Sequence, residues 1–448
     1  FSWMKFLIMK NWTELIDDLV SGKWFNQETQ QMAKVPFDSI VIQENLVGQE
    51  VDLLAEVGLY KNLVMVCDQT TYETLGRRIE EAFDATGELD LLVLDNPHAD
   101  LRLVEELRKK IAQYDGIVAV GSGTINDVCK HATMLNGQSY AVFATAGSMN
   151  GYTSTTASMR LDSGLKISLP SHAPAGFFVD LEVSAAAPAY LAASGFGDCL
   201  CRSVAQVDWW LSHRLLGSLY LQSPYIIQEK DEPELNSRVG NLAIGDIEAT
   251  GYLYRVLTLG GLGVSFSGVS NSGSMGEHQI SHYLDCFAGD RHPGTLHGQQ
   301  VGVASLTMAR LQSKLLSLDK PPTLKETIID LPDMERRMGK EISKQCGDEF
   351  AKKSFEGLLL EQANQRLQEI WIELKKEVQP FMISVCEMEE MLSASGGPVN
   401  YVELGVDADL YRDAIVHCRE MRNRFSFLDV AADAGLLEDF ASEEMHCS

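Results

Sequence analysis

Three histidines and one aspartate in this chain carry the donor types that hold a divalent cation. EHQISHYLD (277–285) sets His278 and His282 four residues apart, on one face if the segment is helical. TLHGQQVG (295–302) adds His297 and GFGDCLCR (195–202) adds Asp198, each with a glycine beside it. A carboxylate with two imidazoles, leaving positions open, is the donor set of a catalytic divalent site. A helical i, i+4 histidine pair can also chelate one ion by itself, but with Glu277 ahead of the first histidine the order is not that of HExxH. His282 can equally stand beside the ion and meet the substrate. Taken singly, each histidine reads as an ordinary surface or core residue. Asp198 is expected just inside a helix start, where an acid reads as a dipole or capping feature.

A second group of residues has the composition of a phosphate site. GSGTINDV (121–128) follows an apolar run and opens a helical pattern, so Gly121, Ser122, Gly123 and Thr124 would let helix N-terminal amides approach a phosphate. Asn126 and Asp127 can cap or bind nearby groups. The spacing is not Gly-x-Gly-x-x-Gly, and strand-to-helix turns use glycine for purely structural reasons as well. Asp68 closes an earlier strand. There it could bond ribose hydroxyls, which would favour NAD over NADP, or could begin the next helix. ATAGSMNGYTSTTASM (144–159) is dense in hydroxyl groups. Thr145, Ser148, Asn150, Tyr152 and Ser154 could bind a cofactor or a polyol, or could fill a solvent loop.

The elements that must position these groups follow from hydrophobic period. KNLVMVCDQT (61–70), LDLLVLDNP (89–97), DGIVAVGSG (115–123) and QSYAVFATAG (138–147) read as buried strands, with helices in TYETLGRRIEEAF and ADLRLVEELRKKIAQY between them. Such alternation implies a parallel sheet covered by helices on both faces. MRLDSGLKISLP (159–170) reads as a hairpin around Asp162-Ser163-Gly164, and GFFVDLEV (176–183) as one more strand. After about Ala186 the pattern turns helical, with long amphipathic segments in KETIIDLPDMERRMGKEI, SFEGLLLEQANQRLQEIWIELKKEV and YRDAIVHCREMRNRFSFLDVAADAG. The 448 residues exceed one compact core. We therefore expect residues 1–185 to form an α/β dinucleotide-binding domain, Rossmann-like, and 186–448 an all-α metal- and substrate-binding domain, with the site in the cleft between them.

Bulk properties narrow the partners. A net charge of −26 without a lysine- or arginine-rich run argues against nucleic acid and anionic membranes, while a small anionic substrate stays compatible. No run is long and apolar enough for membrane insertion. The start, FSWMKFLIMK, has no cleavage site of signal-peptide type, and the initial Phe reads as a trimmed or tag-derived end. Nine scattered cysteines read as reduced thiols of a cytoplasmic protein.

GSGTIND, ATAGSMNGYTSTTASM, GFGDCLCRSVAQVDWWLSH, SGSMGEHQISHYLD, LHGQQVGVASL and RFSFLDVAADAGLL together resemble the sn-glycerol-1-phosphate dehydrogenases, in particular their bacterial branch linked to arabinose gene clusters. These belong with glycerol dehydrogenase, iron-containing alcohol dehydrogenase and dehydroquinate synthase. The resemblance runs from about residue 35 to 440 and implies a dehydroquinate synthase-like fold. It implies that Asp198, His278 and His297 bind the metal, Zn²⁺ or Ni²⁺. Gly121, Gly123, Thr124 and Asp127 would lie along NAD(H) or NADP(H), with Thr145 and Ser148 near it. It further implies a homodimer or larger homo-oligomer that reversibly reduces a phosphorylated triose, dihydroxyacetone phosphate, to sn-glycerol 1-phosphate. Arg202, Lys166 and His282 are the candidates for the substrate phosphate. Where the family carries Asp, this chain has Asn150, which keeps hydrogen bonding and loses charge. Arg202 stands where iron-type alcohol dehydrogenases have a histidine and dehydroquinate synthases a lysine, which disfavours a cyclase. A glycerol or other polyol dehydrogenase is the nearest alternative, and a non-catalytic dinucleotide-binding protein a more distant one.

Overall fold

A computed structural model describes residues 10–84, 87–162 and 164–446. The apolar start up to Met9 and the hairpin residue Ser163 lie outside the described residues. Apart from a short antiparallel pair, Phe25–Asn26 with Gln31–Met32, the strands are β1 (Ser39–Gln43), β2 (Leu63–Asp68), β3 (Leu89–Leu94), β4 (Gly116–Gly121), β5 (Ser139–Ala144), β6 (Thr156–Arg160), β7 (Lys166–Pro170) and β8 (Gly176–Asp180). Six of them form one sheet in the order β1-β8-β5-β4-β2-β3, and every pairing in it is parallel. β6 and β7 form the expected antiparallel hairpin, with Arg160 opposite Lys166.

The apolar runs sort into two cores because successive strand residues face opposite ways. Met65, Cys67, Val118, Val120 and Phe143 face one side, where Leu54 of helix α1 (Glu50–Glu56) and Ile79 of α2 (Arg77–Phe83) cover them. Val64, Val66, Ile117, Ala119 and Val142 face the other, under Leu107 of α3 (Leu101–Ile111) and Val128 of α4 (Gly123–Asn136). Central strands buried on both faces must be apolar throughout, which is why they read as unbroken runs.

β3 departs from expectation. It is an edge strand, and Leu91 and Val93 are 39% and 38% exposed. Its apolar run imitates a central strand, but only one neighbour flanks it. GFFVDLEV also divides: the strand stops at Asp180, whose side chain accepts from the Val183 amide at 3.2 Å and starts a helix. From Leu181 onward, every regular element of the described residues is helical. Two of the long amphipathic segments are broken. In KETIIDLPDMERRMGKEI, Asp330 caps a helix starting at Leu331, and Gly339 at φ +80° ends it. In the last segment, Arg422 at φ −145° separates the turn Cys418–Met421 from a new helix, Phe427–Asp433, capped by Ser426. Local capping outweighed periodicity in both.

Five further helices surround the site: α5 (Ala189–Leu200), α6 (Arg202–Leu216), α7 (Ile247–Ser267), α8 (Gly276–Phe287) and α9 (His297–Leu316). α5 lies against the start of α9 with almost no side chain between them. A Cβ on Gly197 would fall 2.1 Å from the Gly298 carbonyl oxygen, one on Gly298 would fall 1.8 Å from that of Ser194, and one on Gly195 would fall 1.9 Å from that of Gly147. These distances are far inside van der Waals contact, and a backbone oxygen cannot swing aside. Gly197→Ala should therefore destabilise the fold by roughly 1–3 kcal/mol. Gly240, whose Cβ would meet nothing within 4 Å, is the control, since Gly240→Ala should leave stability unchanged or improve it. Urea unfolding of the two variants checks this.

Candidate metal and dinucleotide site

The glycine contact brings Asp198, in the last turn of α5, to the first turns of α8 and α9, which carry His278 and His297. Asp198 thus ends a helix rather than beginning one, so the capping reading of this acid does not hold. One ligand atom from each of the three lies within 4.8 Å of the others.

Each donor is held by its far side. Asp198 Oδ2 accepts from the Asn150 amide at 2.9 Å, while Oδ1 is buried without a hydrogen-bond partner. His278 Nδ1 lies 2.8 Å from Glu277 Oε1. A carboxylate only accepts, so Nδ1 carries the proton and Nε2, 3.6 Å from Asp198 Oδ1, keeps its lone pair. Ser281 Oγ donates to Gln300 Oε1 at 2.8 Å and faces His297 Nδ1 at 3.3 Å, which again leaves the Nε2 lone pair. Burial pushes the Asp198 carboxyl above its ordinary range. An orphaned carboxylate oxygen beside two imidazole lone pairs is costly to bury alone and suits a divalent cation. Cys201, Glu277 and His278 form another close donor set. Glu277 already occupies His278 Nδ1, however, and burial holds the Cys201 thiol well above its usual range.

His282 takes no part in that set. Its Nδ1 lies 2.7 Å from Arg422 Nη2. A guanidinium only donates, so the ring's own proton is on Nε2. Burial, and then Arg422, keep this imidazole neutral, well below its ordinary range.

A cavity of about 360 Å³ joins these groups to the sheet. Ser122, Gly123, Thr124 and Asp127 line it from the strand-to-helix turn, and Ser148, Asn150 and Ser154 from the segment after β5. Lys166, Arg202 and His282 also line it. Both basic side chains are already paired: Lys166 Nζ is 2.6 Å from Asp285 Oδ2, and Arg202 pairs with Glu232. Three expected cofactor contacts do not line the cavity. Asp68 accepts from the Thr71 amide at 2.8 Å in a capping box. Gly121 is glycine because a Cβ would meet Ile125 at 2.7 Å. The Thr145 amide donates to Gly121 O at 3.2 Å and ties two strand ends together.

Residues 41–188 match the family model of iron-containing alcohol dehydrogenases. A glycerol-1-phosphate dehydrogenase [NAD(P)+] of Thermococcus kodakarensis is 30% identical over 275 residues, covering 61% of this chain and 77% of that protein. The chain belongs to the glycerol-1-phosphate dehydrogenase family. Another member, from Bacillus licheniformis, is 27% identical over 407 residues, 89% of this chain and 90% of its own. Among solved structures, glycerol dehydrogenase from Schizosaccharomyces pombe shares the fold, with a TM-score of 0.60 at 16% identity over 92% of this chain and 91% of that one.

In this chain the hydroxyl-rich segment is no solvent loop. Tyr152 is buried, and its hydroxyl donates to Ala146 O at 2.9 Å. The residue that organises the segment escaped sequence reasoning. Lys130 is fully buried, and its ammonium donates to the carbonyls of Gly151 at 2.5 Å, Ser154 at 2.9 Å and Thr156 at 3.2 Å. The only hint was its place on the apolar side of α4, between Cys129 and Ala132. Burial lowers its pKa to about 8. Lys130→Met should leave these carbonyls short of donors and destabilise the fold by about 1–3 kcal/mol. With a folded pKa below the unfolded value of 10.5, the native state holds fewer protons between those values. Wild-type stability relative to Lys130→Met should then rise from pH 7.5 to 9.5, by on the order of 1–2 kcal/mol. Urea midpoints of both proteins at the two pH values test the sign.

Proposed function

We propose that this chain catalyses the reversible NAD(P)H-dependent reduction of dihydroxyacetone phosphate to sn-glycerol 1-phosphate. The observation that carries the reading is the orphaned Asp198 oxygen, facing the His278 and His297 lone pairs in a cavity shared with the Ser122–Thr124 turn. Asp198, His278 and His297 would hold a divalent ion, Zn²⁺ or Ni²⁺, whose Lewis acidity would polarise the ketone. Ser122, Gly123 and Thr124 offer helix N-terminal amides and hydroxyls to the dinucleotide phosphates. Glu277 and Ser281 orient the histidines. His282 offers an Nε2–H to a substrate oxygen.

Asn150 supports the same reading. The contact that anchors Asp198 comes from its backbone amide, so exchanging Asp for Asn at this position leaves the anchor intact. We take the chain to divide at residues 185/186 into a dinucleotide domain and a metal- and substrate-binding domain, and to work in the cytoplasm as a homodimer or larger homo-oligomer. Eight free cysteines among the described residues agree with a reducing compartment. No helix of the described residues is long and apolar enough to cross a membrane.

A polyol dehydrogenase is the competing reading, less favoured because the relatives most similar in sequence are glycerol-1-phosphate dehydrogenases. NADH oxidation with dihydroxyacetone phosphate and with dihydroxyacetone, on chelated protein given back Zn²⁺ or Ni²⁺, separates the two. We expect metal-dependent turnover of the phosphorylated ketone, and turnover of dihydroxyacetone alone would overturn the reading. Asp198→Ala should lose bound metal and activity together, the latter by on the order of a thousandfold, while full activity in that variant would sink the metal assignment.

A further inference from the structure

Two cations beside the cavity have no carboxylate to answer them. Arg422 and Arg424 lie in the stretch between the turn Cys418–Met421 and the helix Phe427–Asp433, and both are partly buried. Arg419, just before them, bonds Asp429 at 3.0 Å and Asp433 at 2.7 Å, and Lys353 pairs with Asp429 at 2.9 Å. Arg422 and Arg424 form no ion pair with any described residue. Their hydrogen bonds go to neutral groups: Arg422 Nη2 to His282 Nδ1 at 2.7 Å, and Arg424 to Ser270 Oγ at 2.6 Å and to the Ser274 carbonyl. Glu277, the carboxylate that acts on Arg424 through space, is engaged with His278. A guanidinium drawn partly out of water without a carboxylate partner is costly for a fold to carry.

The neutral partners are wall residues. Ser270, Ser274 and His282 line the cavity. His282 accepts at Nδ1 and therefore presents its Nε2 proton. Ser270 Oγ accepts from Arg424 and keeps its own proton to donate. Each arginine thus stands behind a donor whose hydrogen is free, and polarises it. The other two cations of the cavity, Lys166 and Arg202, are neutralised by Asp285 and Glu232.

We propose that Arg422 and Arg424 charge an anion subsite at the His282–Ser270 wall, which takes the phosphate group of the ketose phosphate. The proposal rests on the reduction of dihydroxyacetone phosphate proposed above. It also ranks the candidates for the phosphate, with His282 ahead of Lys166 and Arg202. The His282 ring centre is 5.9 Å from that of His278 and 5.8 Å from that of His297. A three-carbon chain can therefore place its ketone at the metal donors and its phosphate at His282. Arg422 touches His282 and is a positioning residue in this scheme.

The test compares Arg422→Gln, Arg424→Gln and Arg422→Lys with wild-type protein. Arg422→Gln should lower kcat/KM for dihydroxyacetone phosphate more than for dihydroxyacetone, by on the order of 30-fold in their ratio, mostly through KM. The inhibition constant for inorganic phosphate should rise in parallel, and Arg422→Lys, which keeps the charge, should recover much of both. Equal losses on the two ketones, or unchanged phosphate inhibition, would overturn the subsite. In the unmodified enzyme, inorganic phosphate should compete with dihydroxyacetone phosphate, and absence of competition overturns the subsite even if a variant fails to fold. If the wild type reduces only dihydroxyacetone, the proposed reaction falls. Calorimetry with inorganic phosphate then decides the subsite by itself: binding that Arg422→Gln abolishes upholds it, and no binding removes it.

Discussion

Backbone contact between two helices sets the geometry of this protein's site. Gly197 against Gly298, and Gly195 against Gly147, bring the end of α5, the start of α9 and the segment after β5 closer than any side chain would permit. Asp198 and His297 are immediate neighbours of two of those glycines, so their placement follows from the contact. α8 then needs only to present its first turn for His278 to complete the set. The same contact brings Asn150, on the sheet side, to bond Asp198, a helical residue.

Around that contact, the polar groups of the cavity are managed through their partners. Glu277 and Ser281 decide which nitrogen of His278 and of His297 carries the proton, and Arg422 decides it for His282 in the opposite sense. Two histidines are thereby left with outward lone pairs, suited to a cation. The third is left with an outward proton, suited to an anion. One cavity can then receive a metal and an anionic group side by side, with the charges of Lys166 and Arg202 already spent on Asp285 and Glu232. Lys130 does comparable work from behind, converting a run of small hydroxyl residues into a fixed wall by satisfying its carbonyls.

Much of the fold was legible because burial on both faces of a parallel sheet forces unbroken apolar runs, and those runs mark β2, β4 and β5. The same signal misled at β3, since the number of neighbouring strands is not written in a strand's own residues. Helical period overextended two C-terminal segments, where Asp330, Gly339 and Ser426 impose local starts and stops. Asp68 shows how one residue type serves two ends: a carboxylate after a strand suits a ribose or a helix cap, and the folded chain shows its contact with the Thr71 amide.

The sequence by itself determined the chemical vocabulary: Asp198, His278 and His297 as donors, a glycine turn before a helix, a hydroxyl-rich segment, and a family likeness that these motifs carry in order. Donor type and local spacing depend on covalent structure and short-range sterics, which sequence encodes directly. Tertiary structure decided which charges are free. Lys166 meets a carboxylate 119 residues away, and Arg422 meets a histidine 140 residues away. Electrostatic pairing acts through space between segments that sequence order does not relate, so the availability of a cation for a ligand becomes visible only when the chain is folded.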